Sequence, residues 1–91
     1  MKKIHIIGTG GLAKELIAYI ESETRERYEI IGCWSDKHFN NDSYEKYYSG
    51  NLNTFKKNYK LSERVIIAIS DIKARKKLVD DFEKIGVNYE T

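Results

Sequence analysis

A doubly wound parallel α/β sheet is the fold class that this 91-residue sequence predicts, and three observations carry that expectation. The apolar run Ile4, Ile6, Ile7 passes directly into Gly8-Thr9-Gly10-Gly11-Leu12-Ala13 and then into a helical pattern, the order of a strand, a glycine turn and a helix. A second β-rich run, Tyr28–Trp34, follows after a polar break. A third, Val65–Ile69, leads at once into another amphipathic segment. The elements read β-α-β-loop-β-α-β, a small Rossmann-like single domain of about four strands spanning residues 1–91.

Each element has a local reason. Leu12, Leu16, Ile17 and Ile20 recur at helical spacing, so the first helix, running from Lys14, lays one face on the sheet. The right-handed crossover rule then sets the Tyr28–Trp34 strand beside the first. From Ser35 to Leu61 the chain is polar, with turn signals at Asn40-Asn41-Asp42-Ser43 and Ser49-Gly50-Asn51, and the expectation is loop with a short helix over Leu52–Asn58. The continuous apolar run Val65–Ile69 predicts a strand covered on both faces, at the centre of the sheet and next to strand one. Ile72, Arg75, Leu78, Val79, Phe82 and Ile85 form the next helical stripe, Gly86 supplies a left-handed stop, and Val87–Tyr89 adds a last strand.

The glycine loop fits a phosphate site. Gly8 turns the chain out of the strand, Gly10 lets a phosphate approach the backbone, and Ala13 lets helix and strand pack closely in the pattern G-x-G-x-x-A. The amides and dipole of the helix N-terminus then face the negative charge. The crossovers leaving strand one and the Val65 strand go to opposite faces, so a crevice opens where Gly8–Gly11 and Ser70-Asp71 converge. Asp36, 23 residues beyond Ala13, stands near the offset at which such folds place an acid on a ribose; it reads equally as a turn residue capping the next segment. Ser70 and Asp71 also read as helix caps, and Arg75 either approaches a phosphate or is solvated like Lys73, Lys76 and Lys77.

The remaining chemistry is thin. His5 reads as an interior histidine, His38 sits in a polar loop without a recognisable partner, and Cys33 reads as a small buried hydrophobe. No nucleophile-base pair, carboxylate pair or metal cluster emerges, so no catalytic residue is assigned. Sixteen basic against fourteen acidic residues leave a net charge of +2, which argues against nucleic acid as a partner. A single cysteine and the lack of a signal-like or membrane-spanning run set a cytoplasmic expectation with no membrane partner. Taken alone, the glycine pattern also fits a small NAD- or nucleotide-sensing regulatory module.

Lys2–Gly11, the Gly32–Asp36 strand end and Ala68-Ile69-Ser70-Asp71 followed by Arg75 resemble the N-terminal domain of the sugar O-acyltransferases related to sialic acid O-acetyltransferase. That family includes bacterial N-acetyltransferases acting on UDP-linked 4-amino sugars, and the likeness covers Lys2–Glu90. The resemblance implies a UDP-sugar-binding domain of an acetyltransferase, with Gly8, Gly10 and Gly11 in the glycine loop and Asp36, after Ser35, near the nucleotide base. It makes Ser70-Asp71 the second ligand loop. It implies no cofactor on this domain: acetyl-CoA, the catalytic histidine and trimer formation belong to a left-handed β-helix that follows in the family. Members commonly carry Gly-His-Gly where this chain has Gly11-Leu12-Ala13, paired acids at Ser35-Asp36, and glycine at Ser70.

Overall fold

A computed structural model describes residues 1–24, 26–39 and 42–90. Its sheet has four parallel strands in the order β3-β2-β1-β4, with β1 Lys2–Ile7, β2 Tyr28–Trp34, β3 Tyr48–Gly50 and β4 Arg64–Ile67. Between them lie α1 Gly11–Tyr19, the four-residue α2 Asp42–Glu45 and α3 Leu52–Asn58, and α4 Ile72–Glu83 closes the chain of elements. A single π-turn, Ile20–Thr24, extends α1. There Ser22 Oγ donates to the Ala18 carbonyl at 2.9 Å, drawing an acceptor away from the backbone ladder.

Alternation along the strands divides the interior in two. Ile4 and Ile6 of β1, with Cys33, Ala68 and Phe39, bury Ala13 and Ile17 of α1 on one face. Ile7, Trp34, Val65 and Ile67 meet Phe55 of α3 and Phe82 of α4 on the other. His5 joins the second face, its ring 5.3 Å from Phe55 and 5.9 Å from Trp34. Trp34 Nε1 donates to His5 Nδ1 at 3.0 Å, so the neutral ring carries its proton on Nε2, which meets Glu63 Oε1 at 2.8 Å. Burial pushes the Glu63 carboxyl up, but the hydrogen bonds from His5 and the Lys60 amide outweigh it and hold the pKa below the usual range. The expected interior histidine is thus the hub of a satisfied buried network.

Several expectations need correction. β4 lies at the sheet edge, not its centre: both faces are covered, but its outer edge meets only an isolated bridge between Val65 and Tyr89. An all-apolar run reports cover above and below, which is independent of how many strands flank it. Val87–Tyr89 accordingly makes that one bridge instead of a strand. The fourth strand is β3, inside the segment expected to be loop, where three residues with no apolar alternation pair with β2 through Cys33 and Trp34. Leu12 and Ile72 fall off their stripes, at 41% and 82% exposed, each in the first turn of its helix. The short helix Leu52–Asn58, the pairing of β1 with β4 and the left-handed Gly86 (φ +66°) stand as expected. Asn40 and Asn41 of the anticipated turn lie outside the described residues. No helix among the described residues is long and apolar enough to cross a membrane.

Candidate functional site

In a parallel sheet each strand feeds the next helix at its carboxyl end, so the N-termini of α1, α3 and α4 gather at one edge of the molecule. Between β1 and β4 the crossovers part to opposite faces, and there the two expected loops meet. Gly8 makes the junction. Its φ of +124° disfavours any side chain, and an added Cβ would lie 2.6 Å from the Ala68 carbonyl oxygen and 3.0 Å from Ile69 Cγ1. Its amide donates to the Trp34 carbonyl at 2.9 Å, and its own carbonyl accepts from Cys33 Sγ at 2.9 Å. Burial pushes that thiol up to about 12, so Cys33 is a structural donor with no thiolate to offer.

Beyond Gly8 the loop opens. Thr9 Oγ1 donates to the Lys37 carbonyl at 2.9 Å, tying the glycine loop to the turn after β2. Gly10 and Gly11 would meet nothing within 4 Å if given a Cβ, while Ala13 is fully buried under α1. Gly10 is the N-cap of α1; among the described residues no side chain accepts from the first amides of that helix, and no acid sits in its first turn.

The other two helices at this edge are capped internally. The Asp36 carboxylate Oδ1 accepts from the Leu52 amide at 3.1 Å, and Asn51 Oδ1 accepts from the Thr54 amide at 2.9 Å, closing α3. Asp71 Oδ1 accepts from the Lys73 and Ala74 amides at 3.0 and 3.4 Å, closing α4. Both acids therefore realise the capping alternative that the sequence left open. Among the described residues, α1 is the one of the three whose first amides and dipole take no side-chain cap.

The remaining predicted residues disperse around this centre. Ser35 is held in the turn, its hydroxyl accepting from the Lys37 amide at 3.1 Å and its carbonyl accepting from Tyr48 OH at 2.9 Å. Ser70 is exposed at the start of the second loop, beside the residues Gly8 touches. Asp36 lines a groove between α3 and α4 with Leu52, Lys56 and Lys77, whereas Arg75 lines a separate groove along β4 with Val79 and Tyr89. The two lie on opposite flanks of α4, so the structure does not bring Arg75 to Asp36. In the Asp36 groove Lys56 pairs with Asp81 and holds that carboxyl below its usual range.

His38, expected to lack a partner, has two: its Nδ1 lies 2.6 Å from Glu45 Oε1, and its ring centroid lies 4.0 Å from that of Tyr48. No sequence signal marks the pair, since a contact between residues seven apart, the second of them at the end of the four-residue α2, has no period to read. Among the described residues no group of three His, Cys, Asp or Glu side chains could hold a metal ion.

No curated protein and no solved structure matches this chain. The family described as the PglD N-terminal domain matches residues 3–82, a span running from β1 to near the end of α4 and holding both loops of the crevice. With most of its length inside that match, the chain belongs to the PglD N-terminal domain family, the N-terminal domain of sugar acetyltransferases.

Proposed function

We propose that this chain binds a nucleotide-linked sugar, of the UDP-sugar class, as the substrate-holding part of a bacterial acetyltransferase of glycan biosynthesis. The observation that carries this reading is the contrast at the sheet edge: side chains cap α3 and α4, whereas among the described residues none caps α1, and nothing stands within 4 Å of where a Cβ on Gly10 or Gly11 would lie. Uncapped amides at a helix N-terminus favour a phosphate with no basic side chain required. Family membership supports the sugar acetyltransferase class.

The phosphates sit over Gly8–Ala13, and the nucleoside and sugar extend toward the turn that Ser35 opens after β2 on one side and Ser70-Asp71 on the other. Binding and orientation are this domain's work. The acyl donor, acetyl-CoA, is held elsewhere in the enzyme.

An amide-resolved ¹⁵N NMR titration with UDP, UDP-N-acetylglucosamine and NAD tests the reading. Saturable shifts at Gly8–Ala13 and Ser70-Asp71 with the uridine ligands are the expected result. Shifts with NAD alone would replace it with a dinucleotide sensor, and silence with all three at millimolar concentration would overturn it.

A further inference from the structure

The turn after β2 divides its side chains between the two faces of the sheet. Asp36 lies on the α3–α4 face: one carboxylate oxygen caps α3, and the residue lines the groove between those two helices. His38 lies on the α1 side. It is flanked by Lys37, whose carbonyl takes the Thr9 hydroxyl of the glycine loop, and by Phe39, buried in the core that holds Ala13 and Ile17 of α1. His38 therefore stands between a residue bonded to the glycine loop and one packed against α1, and the acid at the usual ribose offset caps α3 instead.

His38 is also oriented beyond what a solvated loop residue needs. Its side chain is 66% exposed, yet one edge is held by Glu45 and one face by Tyr48, itself fixed through its hydroxyl on the Ser35 carbonyl. An ionised carboxylate only accepts, so His38 Nδ1 carries the proton that meets Glu45. In the neutral ring Nε2 is then a lone-pair acceptor, and it makes no hydrogen bond to any described residue.

In folds of this kind a side-chain acceptor at the end of the second strand takes a ribose hydroxyl, and phosphate falls to the glycine loop. We propose that His38 Nε2 is that acceptor in this chain, a specificity-determining residue that recognises the ribose of the nucleotide in place of Asp36. The inference rests on the nucleotide-sugar reading above and adds the atom that distinguishes ribose from its deoxy forms.

Calorimetric or NMR affinities for UDP, 2′-deoxy-UDP and 3′-deoxy-UDP, measured on the unaltered chain, His38→Ala and His38→Gln, test it. One well-placed hydrogen bond corresponds to a preference of about tenfold. The unaltered chain should favour UDP over one of the deoxy forms by about that factor. His38→Ala should lose the preference while binding that deoxy form as before, and His38→Gln, which keeps a carbonyl acceptor, should regain part of it. A preference that survives in His38→Ala, or an equal loss for all three ligands, would overturn the His38 assignment alone. Equal binding of the three by the unaltered chain would do the same. Failure of the unaltered chain to bind any of them would overturn the nucleotide reading and the assignment together.

Discussion

Two glycines in one loop serve opposite purposes, and single substitutions separate them. At Gly8 a methyl group meets both a positive φ and the Ala68 carbonyl oxygen at 2.6 Å. Gly8→Ala should therefore cost about 2–4 kcal/mol in urea unfolding. At Gly10 the backbone is extended and the space is empty, so Gly10→Leu should cost at most about 1 kcal/mol while the ligand shifts at α1 disappear. If Gly10→Leu bound UDP-sugars normally, the open end of α1 would not be the phosphate site. The sequence pattern marked both positions but could not tell them apart, because the difference lies in what stands opposite: a carbonyl from residue 68 or nothing. His38 was illegible for a similar reason, since its partners come from the end of α2 and the start of β3, two short elements that no periodicity encodes.

At the scale of elements, capping decides what each helix end is free to do. Asp36→Ala removes the acceptor from the first amide of α3 and should lower stability by about 1 kcal/mol, with Asp36→Asn recovering most of it. Thermal melting of both variants checks this, and an Asp36→Ala protein as stable as the original would refute the capping role. Elements with a marked apolar pattern were readable: β1, β2 and α4 lie where it places them, and α3 stands where a short helix was expected within the polar segment. What the pattern missed was β3, whose three residues are fixed by hydrogen bonds such as Ser35 N–H to the Gly50 carbonyl at 3.1 Å, not by burial. The edge position of β4 was hidden because burial on two faces looks the same in sequence whether or not a strand lies alongside.

Across the whole molecule, two glutamates join segments far apart in the chain. Glu63 takes the proton-bearing edge of His5, and Glu90 accepts from Tyr28 and from Lys2 at 3.1 Å, drawing the end of the described chain onto the starts of β1 and β2. The Tyr28 hydroxyl and, against some cost of burial, Lys2 hold the Glu90 carboxyl below its ordinary range, as His5 and the Lys60 amide do for Glu63. Groups whose folded pKa is depressed contribute stability that is present above their unfolded value and lost as pH falls through the folded value. The urea midpoint should therefore hold steady from pH 7 toward 5 and fall below about pH 4.3, the ordinary glutamate value. Glu63→Gln should flatten part of that fall, and a midpoint rising on acidification would contradict the argument. Trp34, at the centre of the His5 network, is the chain's one tryptophan and is only 6% exposed. Because it belongs to the α3–α4 side of the sheet alone, its fluorescence is a built-in optical probe of that half of the interior. Tyr28, Tyr44, Tyr47 and Tyr48 pack against the other half and Tyr59 beside the Trp34 cluster, so emission excited beyond the tyrosine band reports, without any label, the loosening of the α3–α4 half; a melt that precedes or follows the loss of backbone signal shows that the halves come apart in turn.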